Sequence, residues 1–314
     1  MRAQPGVTGL LAGPRPVLVA VGVRGRPSRF RLLANDPKLW LGLGLLGAIV
    51  LMAILAPHIT AHDPLNPDLL ARLGKPSWMA DGNPAYILGA DPLGRDVWAR
   101  MAFGARTSLL VGLSSTALAT LLGTMLGLVS GFYGSRLDKL IMRLTDVQMA
   151  FPSILLALSI MVVLGAGVRN LIVVLGVANW VLFARVIRAE VLSLREREFI
   201  QASIALGAGG PRLILVHLLP NVFGTTMILA TLTLARVVIA EASLSFLNLG
   251  IPPPNPSWGS MLADGRQYLG VAWWSATFPG LALMATVIAI NLLGDWLRDV
   301  LDPRLQARRS EISS

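Results

Sequence analysis

Long apolar runs alternate with short polar segments along this chain, and the runs predict membrane-spanning helices rather than a water-facing core. Six spans are expected: Leu39 to Ala56, ended by Pro57; Ser108 to Val129; Leu140 to Leu164, kinked at Pro152; Leu171 to Ile187; Val222 to Gly250; and Trp274 to Leu293, with Pro279 inside it. The fifth is 29 residues long. At 1.5 Å per residue it extends about 43 Å, more than a ~30 Å hydrocarbon layer, so it must tilt or project. The second is rich in Gly, Ala, Ser and Thr, the residues that let membrane helices approach closely. Between the spans, residues 58–106 form a polar, Pro- and Gly-rich loop, residues 131–139 and 165–170 form turns, and residues 251–273 form a loop with interfacial tryptophans.

One polar interruption has a helical pattern of its own. Residues Arg195 to Asn221 open with the charged run Arg195 to Glu198. Phe199, Ala202, Ser203 and Leu206 then recur at the spacing of one helical face. Gly207, Gly209, Gly210 and Pro211 break that helix, and a second short helical piece, Leu213 to Leu219, is expected to end at Pro220-Asn221. The pattern predicts a helix, a glycine turn and a helix at the membrane surface. A plain interfacial hairpin and a DNA-binding helix-turn-helix share it, but the flanking spans weigh against nucleic acid.

Composition agrees with a membrane chain: 54% of the 314 residues are hydrophobic, 14% are charged, and the net charge is +10. Mean hydropathy is +0.66 and the isoelectric point about 11.2. There is no cysteine, which excludes disulfides, iron–sulfur clusters and thiolate zinc sites. The three histidines lie in no metalloprotease motif. Residues 1–38 are Arg-rich and read as a disordered basic tail. The apolar piece Val17 to Val23 is too short to span, and no cleavage site follows it.

Charge also orients the spans. With the N-terminus inside, the internal segments and the span ends adjoining them hold 19 Lys and Arg and the external ones 7, with Arg236 deep within a span. The positive-inside rule puts both termini and residues 188–220 in the cytoplasm. Arg236, near mid-depth of the fifth span, and Glu241 are candidate functional charges, because an intramembrane ion is costly without a partner. Five residues apart is a rotation of about 140°, so the two do not face each other and each needs a partner elsewhere or water. A structural ion pair is the competing reading. For Asp91, Arg95 and Asp96 in the long loop, a reading as loop caps and surface pairs weighs equally against a functional one.

The surface helix-turn-helix resembles the cytoplasmic Glu-Ala-Ala loop of bacterial ABC importer permeases. Gln201-Ala202-Ser203 stands for Glu-Ala-Ala, Gly207 for the glycine, and Leu219-Pro220 for the closing pair; the glutamate and second alanine are missing. Leu88 to Trp98, Gly104 to Gly112, Asp138 to Leu155, and Glu241 to Gly250 with Pro256 to Leu262 resemble the branch that imports dipeptides, oligopeptides and nickel, as its C-type subunit. The resemblance covers roughly Leu88 to Leu305.

It implies an all-α polytopic fold of six transmembrane helices, with both termini cytoplasmic, in the bacterial inner membrane. It divides the chain into a basic tail (1–38), a first helix with its external loop (39–106), a five-helix core (107–297) with the coupling loop 188–220, and a tail (298–314). It implies a second permease subunit, two cytoplasmic ATPase domains and an external solute-binding protein. The chain itself would be non-catalytic and bind no cofactor, with ATP and Mg on the ATPases; no Gly-x-x-x-x-Gly-Lys-Ser/Thr loop is present. The expected docking residues are Glu198, Phe199, Gln201, Ala202, Ser203, Ile204, Leu206, Gly207, Ala208 and Gly209. Phe199, Ala202 and Leu206 are expected to make the direct contacts, with Arg195 to Glu198 as a solvated rim. Peptides are the expected cargo, with nickel chelates, haem or another small solute as alternatives. A secondary transporter would need an inverted repeat or several acidic residues within spans, and a membrane enzyme a nucleophile–base set; neither is evident.

Overall fold

The computed structural model describes residues 36–301. The basic N-terminal segment and the end of the C-terminal tail lie outside the described residues. Nine helices are defined here: α1 Pro37–Ile59, α2 Val97–Tyr133, α3 Ser135–Met149, α4 Ser153–Leu164, α5 Val168–Arg195, α6 Glu198–Ala205, α7 Gly210–Phe246, α8 Trp258–Gly265 and α9 Trp274–Leu301. Five of these (α1, α2, α5, α7, α9) are long and apolar enough to cross a membrane, and α3 with α4 makes a sixth if the bent pair is one span. The fold is an all-α membrane bundle, as expected from the hydropathy pattern.

Several boundaries differ from the sequence reading. Pro57 does not end α1; it sits in the last turn, and the helix closes two residues later, where the Thr60 hydroxyl donates to the Ala56 carbonyl at 2.9 Å. Proline in a final turn removes only one internal hydrogen bond, which is a tolerable loss. α2 begins eleven residues before the expected Ser108, because the Asp96 carboxylate accepts from the Trp98 N–H at 2.9 Å and caps the helix. At 37 residues, it extends about 55 Å. The expected turn 131–139 shrinks to Gly134 alone (φ +62°), after which α3 starts at once.

The expected kink at Pro152 is a full corner: α3 and α4 meet at 89°. Ala150, Phe151 and Pro152 leave the helix, since proline has no N–H and disfavours helical backbone in the residue before it. Pro220 has the opposite outcome. The expected end at Pro220-Asn221 does not occur, and α7 runs straight through. Leu213–Leu218 is wound as a π-helix, and the Asn221 side-chain amide donates to the His217 carbonyl at 2.6 Å. Widening the turn relieves the clash a proline ring makes with the carbonyl four residues earlier. At its far end α7 stops at Phe246, not Gly250. Asn248 takes φ +60°, the Leu249 N–H reaches the Leu244 carbonyl (2.9 Å), and the Asn248 N–H reaches the Ser245 carbonyl (3.0 Å).

α2 and α5 form the tightest pair in the bundle. Gly123, Gly127 and Gly131 lie one turn apart on α2 and face Trp180, Ala184, Ile187 and Val191 of α5. A Cβ on Gly127 would lie 2.8 Å from the Ala184 carbonyl oxygen, and one on Gly131 would lie 2.8 Å from Val191. Only glycine permits that approach. α3 is clamped across this pair by polar ties. Arg188 of α5 grips Asp138 with two donors, one at 2.6 Å, Arg185 meets Asp146, and the Trp180 indole donates to Gln148 at 2.9 Å.

Trp258, within the loop expected to hold interfacial tryptophans, is interior, and so is Trp274 at the start of the last span. Trp258 of α8 and Trp274 of α9 are fully buried, their indole N–H groups donating to the Met101 and Ala90 carbonyls, both at 3.1 Å. They centre an apolar cluster with Ile49, Val97 and Met261 that seals the bundle end opposite α6.

Candidate coupling loop and membrane charges

α6 and the turn that follows it carry the residues singled out in the sequence. Glu198 opens α6, where a carboxylate favours the helix N-terminus. Its far end is set by Gly207 at φ +82°. The Gly207 N–H bonds the Ile204 carbonyl at 2.9 Å and the Ala208 N–H bonds the Ser203 carbonyl at 3.0 Å. This is the paired closure that a left-handed residue after a helix makes. No atom lies within 4 Å of where a Gly207 side chain would start, and the same holds for Gly209. The glycine at 207 therefore serves backbone conformation, not close packing within this chain.

The helix turns the expected face outward. Phe199, Ala202 and Leu206 are all exposed, Leu206 at 89%, with Ser203 half-buried and Ile204 exposed beside them. What anchors α6 is Ile200, absent from the sequence-predicted set. It is fully buried among Leu128, Ile187, Val191, Leu218 and Val222 of α2, α5 and α7. Ile200 was hidden because its neighbours come from three other helices. A second tie comes from Gln201, in the glutamate's position, whose side-chain amide donates to the Arg195 carbonyl at 2.7 Å. A carboxylate could not donate there.

Arg195 is not part of a solvated rim. Its guanidinium donates to the Gly131 carbonyl at 3.1 Å and lies 5.9 Å from the centre of the Phe132 ring. Glu196, Arg197 and Glu198 are exposed. On the far side, Gly210 abuts Phe132 and Tyr133, each 3.0 Å from a would-be Cβ. The loop is thus seated on α2, α5 and α7 while its apolar face stays free.

The two intramembrane charges point to different surroundings. Glu241 is wholly buried between helices; Ser245 donates to its carboxyl at 2.8 Å, and Ser108 of α2 and Ser257 before α8 stand beside it. Arg236 is exposed on α7 and has no hydrogen-bond or ion-pair partner among the described residues. They do not pair with each other.

A third group of charges is legible only in part in the sequence: Asp91 caps its loop, as one reading expects, but its ion pairs are not at the surface. Asp91, Arg95 and Arg100 are buried rather than forming surface pairs. Asp91 accepts from Arg95 Nε at 2.7 Å and from Arg100, and its other oxygen takes the Leu93 and Arg95 N–H groups at 2.8 and 2.9 Å. Asp264 of α8 accepts from both guanidiniums at 3.2–3.3 Å. Two carboxylates and two guanidiniums thus bolt α8 to the start of α2. Asp264 comes from 164 residues further along than Arg100, a separation that no local pattern can bridge.

Among the described residues the arrangement is a bundle of apolar spans with a short helix seated at one end and its apolar face exposed. Residues 123–307 match the family described as the binding-protein-dependent transport system inner membrane component. The chain belongs to this family, as a multi-pass inner-membrane permease whose partners, not itself, hydrolyse ATP. It is 42% identical to the di/tripeptide transport system permease protein DppC of Pseudomonas aeruginosa over 84% of this chain and 88% of that protein. It is 39% identical to the dipeptide transport system permease protein DppC of Alkalihalophilus pseudofirmus, covering 88% and 90% of the two chains. With the oligopeptide transport system permease protein OppC of Bacillus subtilis it shares 38% identity over 88% of each chain.

Proposed function

We propose that this chain is one of two permease subunits of an ATP-driven importer for dipeptides and short oligopeptides. An external solute-binding protein delivers the peptide, and two cytoplasmic ATPase domains, carrying ATP and Mg, drive the cycle. The observation that carries the peptide reading is the similarity to relatives named for di/tripeptide and oligopeptide transport along nearly the whole chain. The coupling reading rests on α6, a short helix with Ile200 anchored and Phe199, Ala202 and Leu206 exposed. An exposed apolar cluster of this kind is where docking energy concentrates. The 19-to-7 excess of Lys and Arg supports a cytoplasmic α6 and cytoplasmic termini.

In this reading, closure of the ATPases moves α6. Because α6 follows α5 after two residues and α5 is locked to α2 through the glycine face, the displacement passes to the bundle as a rigid body. The test is reconstitution of the chain in vesicles with its co-expressed neighbours. Uptake of labelled di- and tripeptides that needs both ATP and the binding protein supports the function. Uptake of nickel chelates or haem with no peptide uptake refutes the peptide reading and leaves the permease.

A further inference from the structure

Arg236 sits near the middle of the apolar part of α7, and the packing of that helix assigns its other sides. Leu234 and Val238 lie against Gly112 of α2. Val237 and Leu244 join the cluster built by α4 and α5, and Ala235 packs with Ile290 of α9. At 100° per residue these contacts cover all of the helix except one arc. Arg236, Ile239 and Ser243 occupy that arc, with Leu247 just past the end of the helix; Ser243 is half-buried and the other three are exposed. A guanidinium stays charged in any protein setting and is costly against hydrocarbon, so lipid does not cover this face. One turn along, a cleft of about 320 Å³ opens between α7, α8 and α9, lined by Ile239, Ser243, Leu247, Leu262 and Leu283.

We propose that Arg236 binds the C-terminal carboxylate of the peptide in transit, with the neighbouring cleft receiving an apolar side chain. The proposal rests on the peptide-import reading above. Guanidinium is the cation best matched to a carboxylate, offering two parallel donors. A cation beside an open cleft suits a small solute, whereas an acidic residue of the second permease would require a surface that fills the cleft. Arg236 is a specificity determinant in this scheme: neutral or C-terminally blocked solutes gain nothing from it.

The absence of cysteine from the chain allows a direct test. The complete complex is reconstituted with Arg236→Gln or Arg236→Cys, and uptake of a labelled dipeptide is measured at sub-saturating loaded binding protein. Arg236→Gln is expected to lower uptake about tenfold, as for loss of a charged hydrogen bond, while the second permease still co-purifies. In Arg236→Cys, a cationic aminoethyl thiosulfonate should restore uptake and an anionic sulfonatoethyl one should not. Unchanged uptake in Arg236→Gln, or equal effects of the two reagents, overturns the proposal. So does loss of the second permease on purification, which would assign the cation to an acid of that subunit. Failure of the parent complex to import any peptide refutes the peptide reading instead, and this proposal with it.

Discussion

Gly207→Val isolates the turn that ends α6. A β-branched residue at φ +82° is a genuine outlier, and an L-residue in left-handed backbone costs about 1–2 kcal/mol. Nothing within 4 Å meets the new side chain, so the whole effect is conformational. The strain acts on a helix of eight residues, too short to form alone. Against it stand the burial of Ile200, worth about 1.5–3 kcal/mol, and the Gln201 to Arg195 hydrogen bond, worth about 1 kcal/mol. The two sides are comparable, so the last turn of α6 should fray while the spans stay inserted. Uptake per ATP hydrolysed, measured in vesicles, should fall severalfold in Gly207→Val, less in Gly207→Ala, and little in Gly207→Asn, since asparagine tolerates this backbone. The reasoning fails if Asn and Val lower the coupling ratio equally. That result would mean that close approach by the partner, not backbone conformation, requires glycine.

Two further outcomes follow from the packing and a third from the distribution of basic residues. Asp91→Asn leaves two buried guanidiniums short of a counter-charge, a change that costs about 3–5 kcal/mol at buried pairs, and should lower the melting temperature in detergent far more than Asp264→Asn, whose carboxylate is 42% exposed. Gly127→Leu drives a side chain into the Ala184 carbonyl and Ile187; overpacking costs about 1–3 kcal/mol or more, and the protein should accumulate poorly, whereas Gly44→Leu, with open space around it, should not. A reporter fused after Ser314 should be cytoplasmic and one inserted near Pro76 external; an external C-terminus would overturn the orientation drawn from the basic residues.

Hydropathy alone determined that this is an all-helical membrane chain, because a segment in lipid must satisfy its backbone internally and so declares itself by length and apolarity. The residues of α6 and the need for a special backbone at Gly207 were also legible, since a helix face and its glycine stop are written within a dozen positions. Proline was legible only in part. Pro152 makes a corner, Pro57 rests in a final turn and Pro220 is absorbed by a π-helical turn, and the difference lies in neighbouring hydrogen bonds rather than in proline itself. Tertiary structure decided what joins distant segments. Ile200 is an anchor because α2, α5 and α7 meet around it; Asp91, Arg95 and Arg100 are buried because Asp264 arrives with α8; and Glu241 and Arg236, equal candidates by composition, part company because packing turns one inward and leaves the other on the uncovered arc of α7. Each of these depends on which helix faces are covered, and coverage belongs to the assembled bundle rather than to any local run of residues.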